Sequence, residues 1–184
     1  MLGEIMRKFI ILLRGINVGG KNKVSMKELK ELLEMNGFHD VITYINSGNL
    51  IFSSENSDIG TLKSECEAII FKKFKLKLNA MIISADDLLE ALHNAPDWWD
   101  ADKESKHNAI FVIPPATVEE VFSEVGEIKP EYEKAGCFGR VIFWSAPLKT
   151  FSRTRLSGVV GSSVYNSITI RNSNTVKKLA ELCK

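Results

Sequence analysis

Residues 8–33 read KFIILLRGINVGGKNKVSMKELKELL, and this stretch decides the fold. It opens with an unbroken apolar run at 9–13, which predicts a strand buried on both faces. A glycine-rich loop follows at 15–23. Ser25 and Glu28 then have the N-cap and N3 spacing of a capping box, and apolar residues at helical spacing come after them. Gly37 predicts the end of this helix. The stretch therefore predicts a strand, a loop and an amphipathic helix, in that order.

The elements that follow complete a known order. Short strands at 41–45 and 50–52 flank the polar turn Asn46-Ser47-Gly48-Asn49, which predicts a hairpin. An amphipathic helix at 59–74 and a strand at 79–83 then give the order β-α-β-β-α-β, which is ferredoxin-like. Helices cover one face of such a sheet, so its other face needs cover from the second half of the chain or from a dimer partner.

The same pattern restarts in the second half of the chain. The predicted elements are a strand at 109–113, a helix at 117–125, a hairpin of 132–137 and 140–145, a helix at 151–160, a strand at 167–171 and a helix at 174–183. NLIFSS at 49–54 and RVIFWS at 140–145 occupy equivalent places. We predict an α+β fold of two ferredoxin-like (βαββαβ) halves packed together, with an extra C-terminal helix. The predicted parts are a first half at 1–84, a connecting helix and Trp-rich loop at 85–106, and a second half with the C-terminal helix at 107–184.

Composition indicates an ordinary globular protein. Of 184 residues, 45% are apolar and 26% are charged. The three cysteines have no Cys-x-x-Cys spacing, which suits a reducing compartment. No run approaches the ~20 apolar residues of a membrane span, and no cleavage site follows the short run at 9–13. We therefore expect a cytoplasmic protein without membrane contact, and the oligomeric state is not indicated.

Charge is distributed unevenly along the chain. Lys and Arg number 12 against 9 acidic residues in 1–84, 4 against 13 in 85–139, and 8 against 1 in 140–184. A basic C-terminal segment is typical of a surface that binds polyanions. The alternative is internal neutralisation of this segment by the acidic middle of the chain.

The glycine-rich loop nearly matches a phosphate-binding P-loop. Gly15, four further residues and Gly20-Lys21 have the right spacing, but Asn22 replaces the hydroxyl residue that binds magnesium. The helix also begins too late, near Ser25, for its N-terminus to converge on a phosphate with the loop. The sequence therefore does not predict an ATPase or GTPase.

The loop still has the chemistry of an anion site. Glycine backbone can turn its N–H groups toward an anion, and the neighbouring cations and amides add donors. The candidate residues are Arg14, Asn17, Gly19, Gly20, Lys21 and Lys23. The alternative is that the glycines only turn a corner and the lysines only keep it soluble.

The basic C-terminal segment supplies the other candidate donors. Arginine binds phosphate through forked hydrogen bonds, and a helix N-terminus leaves N–H groups for an anion. The candidates here are Arg153, Arg155, Arg171 and Asn172, with helix capping and surface solubility as the alternative roles. Weaker candidates are Asn46 and Asn49 in the hairpin, and Trp98 and Trp99, which could stack on a ligand or anchor their loop.

Other kinds of site are not predicted. The three histidines have no zinc spacing, and Asp97, Asp100 and Asp102 match no EF-hand loop. No plausible Ser/His/Asp order proposes a nucleophile. We therefore predict no metal and no cofactor, and name no catalytic residue.

Three strings of the sequence resemble one family. LLRGINVGGKNKVSMKELKELL, YINSGNLIF and ITIRNSNTVKKLAEL are similar to the signatures of an uncharacterised bacterial family, domain of unknown function 1697. The resemblance extends over about 8–182. It implies a small cytosolic α+β protein with two ferredoxin-like halves, and no activity or catalytic residue comes with it. The strings coincide with the candidate loops, which favours one shared polar site.

The leading functional hypothesis is therefore binding of a phosphate-bearing ligand, such as a nucleotide, a phosphorylated metabolite or single-stranded nucleic acid. The Gly-rich basic loop and the Arg-rich C-terminal segment would supply the donors. Ferredoxin-like sheets bind RNA through exposed aromatics on central strands, and the run FIILL has only Phe9 at its start, which argues against RNA. The alternatives are an enzyme acting on a small phosphorylated metabolite in the cleft between the halves, and a protein-interaction module that uses Trp98-Trp99.

Overall fold

The computed structural model describes residues 5–184, so residues 1–4 of the predicted first half lie outside the described part. The elements in chain order are β1 Arg7–Leu13, α1 Met26–Glu34, β2 His39–Tyr44, β3 Asn49–Ser54, α2 Ile59–Phe74, β4 Ala80–Ser84, α3 Ala85–His93, β5 Ser105–Val112, α4 Val118–Val125, β6 Lys134–Phe138, β7 Val141–Pro147, three 3-10 helices (Leu148–Arg153, Leu156–Val159 and Ser163–Ser167), β8 Ile168–Asn172 and α5 Ser173–Leu182.

The strands form two four-stranded sheets of the same topology. The first has the order β2-β3-β1-β4 and the second β6-β7-β5-β8, and every pairing in both is antiparallel. This is the ferredoxin-like arrangement, so the predicted fold class is confirmed. In chain order, β3 and β7 are each the third strand of their four-stranded sheet, as the similarity of NLIFSS and RVIFWS predicts.

The chain divides into two compact units. The first comprises residues 5–88 and 179–184, and the second comprises residues 89–178. Helix α5 therefore begins in the second unit and ends in the first.

In the first unit, β1 is buried on both faces, as its unbroken apolar run predicts. Phe9, Ile11 and Leu13 belong to the core formed with α1 and α2, and Ile10 and Leu12 on the other face are fully buried. Because both faces are buried, no polar or charged side chain interrupts the strand between Phe9 and Leu13.

Helix α1 begins and ends where its sequence predicts. The Oγ of Ser25 accepts a hydrogen bond from the Glu28 N–H at 3.3 Å, and Leu29 and Leu33 on one face are buried. Gly37, with a φ of 90°, reverses the chain, and the Phe38 N–H then donates to the Leu33 carbonyl at 3.2 Å. This is a Schellman motif, in which glycine avoids the steric cost of the left-handed conformation.

The second unit departs from the prediction between β7 and β8. Residues 151–160 do not form the predicted α-helix, and three short 3-10 helices separated by residues 154–155 and 160–162 make the connection instead. The Thr154 hydroxyl donates to the Phe151 carbonyl at 2.7 Å, and the Ser157 hydroxyl donates to the Thr154 carbonyl at 2.9 Å. Ser and Thr side chains that bond locally in this way compete with α-helical hydrogen bonds.

Of the helices in residues 5–184, none combines the length and hydropathy needed to span a membrane.

Candidate functional site

The glycine-rich loop of the first unit is held by the side chain of Asn17. Its Oδ1 accepts from the Val24 N–H at 2.8 Å, while its Nδ2 donates to the carbonyls of Val24 at 2.9 Å and Asn46 at 2.8 Å. Asn17 itself has a left-handed backbone, with a φ of 54°. Its polar atoms are thus used within the protein, and Asn17 serves to shape the loop.

The loop and the β2–β3 hairpin lie against each other, which the topology alone left open. Besides the Asn17–Asn46 bond, the Leu13 N–H donates to the Gly48 carbonyl at 2.8 Å. Asn49 is buried, and its Nδ2 donates to the Tyr44 carbonyl and to Ser47 Oγ within the hairpin. Asn46 and Asn49 therefore build the hairpin and its contact with the loop.

The tip of the loop contains cationic side chains and two glycines with left-handed backbone conformations. Lys21 and Lys23 are exposed and Arg14 is half-buried. Gly19 and Gly20 have φ values of 57° and 77°. Within residues 5–184, the backbone N–H groups of Asn17, Lys21 and Val24 have acceptors in the loop, and those of Gly19 and Gly20 do not. This geometry can receive an anion, although the loop forms an exposed surface.

In the second unit, Arg153 and Arg155 border a cavity of about 520 Å³. Its wall also includes Lys129 and Tyr132, which the sequence did not single out. The Arg153 guanidinium carbon lies 5.7 Å from the centre of the Tyr132 ring, and Lys129 Nζ lies 5.9 Å from it. Three cations therefore share one concave surface.

A buried carboxylate holds the backbone of this surface. Glu133 is only 2% exposed, and it accepts hydrogen bonds from the Arg155 N–H at 2.6 Å and the Leu156 N–H at 3.2 Å. It also accepts from the Lys129 N–H at 3.4 Å. Because these bonds join both segments that carry the cations, Glu133 fixes the spacing of the cavity wall.

The other two predicted C-terminal residues do not border that cavity. Arg171 donates through Nη1 to Thr169 Oγ1 at 2.8 Å and to the Ile170 carbonyl at 2.9 Å, and burial lowers the pKa of its guanidinium to about 10. The Oδ1 of Asn172 accepts from the Thr175 N–H at 2.8 Å and so caps α5. The role observed for Asn172 is thus the helix cap that the sequence analysis held as its alternative.

Trp99 anchors the loop between α3 and β5. The residue is 8% exposed, and its Nε1 donates to the Asn108 carbonyl at 2.8 Å. Its ring packs edge-to-face with the Phe143 ring, and the ring centres are 5.0 Å apart. Trp98 is half-buried and lies beside Gly136. The buried, bonded indole of Trp99 leaves little surface for a partner.

A hydrogen-bonded cluster not foreseen from the sequence surrounds His107, and it is formed by Ser145 and by backbone groups of Asp100 and Asp102. The Nδ1 of His107 lies 2.6 Å from Ser145 Oγ, and its Nε2 lies 2.8 Å from the Asp102 carbonyl oxygen. Nδ1 also accepts the Asp100 N–H at 3.0 Å, which leaves Nε2 to donate to the Asp102 carbonyl. Because its lone pair is shared with this amide and Ser145 is buried, the cluster orders the loop at 100–102 and supplies no free general base.

Asp100 joins the same loop to α5. Its carboxylate accepts hydrogen bonds from Ser173 Oγ and Lys177 Nζ, in a left-handed backbone with a φ of 64°. Burial alone would raise the pKa of the Asp100 carboxyl, but these two donors outweigh it and lower the pKa below its ordinary value. The carboxylate is therefore already neutralised within the unit.

Metal and thiol chemistry find little basis here. Among the described residues, no group of three His, Cys, Asp or Glu side chains could hold a metal ion together. Burial raises the pKa of the Cys66 thiol to about 12, so its thiolate is not populated near neutral pH.

Comparisons with known proteins agree with this architecture. Residues 6–143 match the family described as "Protein of unknown function (DUF1697)". A solved structure of a conserved bacterial protein from Streptococcus pneumoniae is similar, with 31% sequence identity and a TM-score of 0.88, over 98% of this chain and 100% of that one. The search of curated proteins finds no match. The loop and hairpin, together with Lys129 and Glu133, lie within the matched residues, and Arg153 and Arg155 lie beyond them. With three quarters of its length matched, this chain belongs to the DUF1697 family.

Proposed function

We propose that this protein binds a phosphate-bearing ligand, with Lys129, Arg153 and Arg155 as its donors. The single observation that carries the proposal is the convergence of these three cations on one cavity of about 520 Å³. Arginine recognises phosphate through forked hydrogen bonds, and lysine adds a mobile positive charge.

Among the described residues, the three cations make no close ion pair, although the carboxylates of Glu124 and Glu133 lie nearby. Within residues 5–184, no ion pair includes Lys129, Arg153 or Arg155. Glu124 borders the cavity, but its Oε1 accepts from the Ser163 N–H at 3.2 Å. The Glu133 carboxylate accepts hydrogen bonds from backbone N–H groups. The wall keeps a net positive charge, and an anionic ligand would give the three cations the close ion-pair partner that they lack.

The surroundings favour a phosphorylated small molecule over single-stranded nucleic acid. RNA-binding ferredoxin-like sheets stack bases on exposed aromatics of their central strands. Here the aromatic side chains of the central strands are no more than 2% exposed; they are Phe9, Phe52, Phe111, Phe143 and Trp144. In the cavity, the ring of Tyr132 is already in contact with two cations.

The glycine-rich loop of the first unit is a second proposed anion-binding surface. Lys21 and Lys23 are exposed there, and the glycine N–H groups can turn toward a ligand. Residues 18–23 are all exposed, so we expect the affinity of this loop for the same anion to be lower than that of the cavity.

Calorimetric titration with inorganic pyrophosphate tests the proposal. We expect saturable binding that weakens with salt, and a loss of about tenfold or more in the double variant Arg153→Gln/Arg155→Gln. Lys149→Gln, an exposed cation in the same 3-10 helix as Arg153, is the matched control and should bind as the parent does. Unchanged affinity in the double variant would remove the cavity from the site. Loss of binding in Arg14→Ala/Lys21→Ala instead would assign it to the loop.

A further inference from the structure

The second unit contains a larger cavity where the first unit has a helix. In the first unit, the 16-residue helix α2 connects β3 to β4 and buries Leu62, Cys66 and Ile70 against the sheet. In the second unit, the three 3-10 helices make the equivalent connection. A cavity of about 940 Å³ lies between these short helices, the sheet, the loop at 100–103 and the start of α5. This volume is near the upper end of the range for small-molecule sites.

The cavity has an apolar floor. Trp144 and Ile170 come from the sheet, and Phe151, Leu156 and Val160 come from the 3-10 segment. The rings of Trp144 and Phe151 pack with their centres 4.9 Å apart. Such a floor suits the apolar body of a ligand.

A buried hydrogen-bond donor on the floor has no partner. Trp144 is 2% exposed, and within the described residues nothing accepts a hydrogen bond from its Nε1. The other buried indole, that of Trp99, donates to the Asn108 carbonyl. A buried indole N–H ordinarily finds an acceptor, because leaving it unpaired costs its full desolvation. The Nε1 atom itself has almost no accessible surface, so an acceptor oxygen from the cavity reaches it only when a neighbouring side chain moves aside.

The rim of the cavity is cationic. Lys103, Lys106 and Lys177 border it, against the carboxylates Asp100 and Asp102. Asp100 is already paired with Lys177. Lys106 Nζ lies 4.3 Å from the centre of the Phe151 ring, directly beside the apolar floor. One net positive charge on the rim suits a ligand that carries one negative charge.

We propose that this cavity binds a small monocarboxylate with an apolar body. A carboxylate oxygen accepts the Trp144 Nε1–H, Lys106 faces the charge, and the apolar body lies against Phe151 and Ile170. This site is separate from the phosphate site proposed above, and its test does not depend on that one.

Nuclear magnetic resonance of the indole N–H groups tests this assignment. The chain has three tryptophans, so three indole signals are expected, and the variant Trp144→Phe identifies the signal of Trp144. On titration with 4-phenylbutyrate, we expect the Trp144 signal to move downfield and saturate. We expect the Trp98 signal to stay in place, because Trp98 does not border this cavity.

Variants and a neutral analogue separate the proposal from its alternatives. Trp144→Phe and Lys106→Gln should each weaken binding by about tenfold, while Trp98→Phe should not. 4-Phenylbutanol, which keeps the apolar body without the charge, should bind far more weakly. Lys106 is exposed, so its variant folds even if Trp144→Phe does not. An unmoved Trp144 signal at saturation, as expected if only a water bonds the indole, would overturn the proposal. Equal binding by the alcohol or by Lys106→Gln would do the same.

Discussion

At the scale of single residues, one buried carboxylate fixes the backbone that carries the arginines of the proposed phosphate cavity. Glu133 uses both carboxylate oxygens to accept N–H groups from residues 22 and 23 positions further along the chain. Glutamine in its place keeps one acceptor oxygen but turns an NH₂ group toward a backbone N–H. Two donors that face each other in a buried site leave both unsatisfied.

We predict that Glu133→Gln lowers the free energy of unfolding by about 1–3 kcal/mol and also weakens pyrophosphate binding. Chemical denaturation and calorimetry on the same preparation measure the two effects. Glu131→Gln, at an exposed neighbouring position, is the control and should change the stability by less than about 0.5 kcal/mol. Full stability in Glu133→Gln would show that the carboxylate does not hold the segment.

Asp100 gives a second prediction at this scale, on pH. The pKa of its carboxyl lies below the ordinary value of 3.8, so its bonds to Lys177 and Ser173 stabilise the folded state above that value. The contribution is lost as the pH falls through the folded-state pKa. Asn also tolerates a left-handed backbone, so Asp100→Asn removes the charge without backbone strain.

We predict that Asp100→Asn costs about 0.5–1 kcal/mol at neutral pH and that this difference from the parent shrinks below about pH 4. Thermal unfolding across that pH range measures it. Asp97→Asn, in the same loop, is the matched control. A deficit in Asp100→Asn that grew as the pH fell would contradict the assigned role.

At the scale of elements, the β2–β3 hairpin and the glycine-rich loop form one structural piece because Gly48 allows close contact. An added Cβ at Gly48 would lie 2.7 Å from Leu13 Cβ, and the φ of Gly48 is 82°. Gly37 has a similar φ of 90° but open space around it. The pair thus separates backbone strain from side-chain overlap.

We predict that Gly48→Ala is more destabilising than Gly37→Ala by about 1–3 kcal/mol, because both pay for the left-handed backbone but only the first also overlaps a neighbour. Denaturant unfolding of both variants makes the comparison. Equal losses would mean that the hairpin can move away from the loop at no cost.

The sequence predicted the elements well where local chemistry decides them. The capping Ser25, the terminating Gly37 and the unbroken apolar run of β1 each act on their own neighbours. The α-helix predicted at 151–160 was wrong. Apolar residues such as Leu156 and Val159 have helical spacing, but the Thr154 and Ser157 hydroxyls donate to nearby backbone carbonyls. The spacing of apolar residues indicates which side chains are buried. It does not show that Ser and Thr side chains compete with the helix for backbone hydrogen bonds.

The candidate site was predicted less completely, because its residues come from distant parts of the chain. Arg153 and Arg155 are recognisable as a basic pair. Lys129 and Glu133 reach them only because the segment before β6 folds back onto the 3-10 helices, across 22 or more positions. The sequence suggests Asn17 as an anion donor, because its amide can donate hydrogen bonds. Its bonds to the Val24 and Asn46 carbonyls depend on the folded loop, which the sequence alone does not show.

At the scale of the whole molecule, the same sheet topology occurs twice, but the connection between the last two strands differs between the two units. The first unit closes its sheet with α2 and has a continuous apolar core. The second unit replaces that helix with short 3-10 segments, and both proposed ligand cavities border these segments. We infer that the second unit carries the binding function, and the loop of the first unit adds an exposed basic surface.

The most direct test of the proposed phosphate site is a crystal soaked with tungstate, a heavy tetrahedral anion that substitutes for phosphate. Anomalous scattering locates tungsten without reference to any assumed site. The account predicts a peak in the cavity of the second unit, within hydrogen-bonding reach of the Arg153 and Arg155 guanidinium groups. A peak only at Lys21 and the glycines of the first unit, or no peak on the protein, would contradict it.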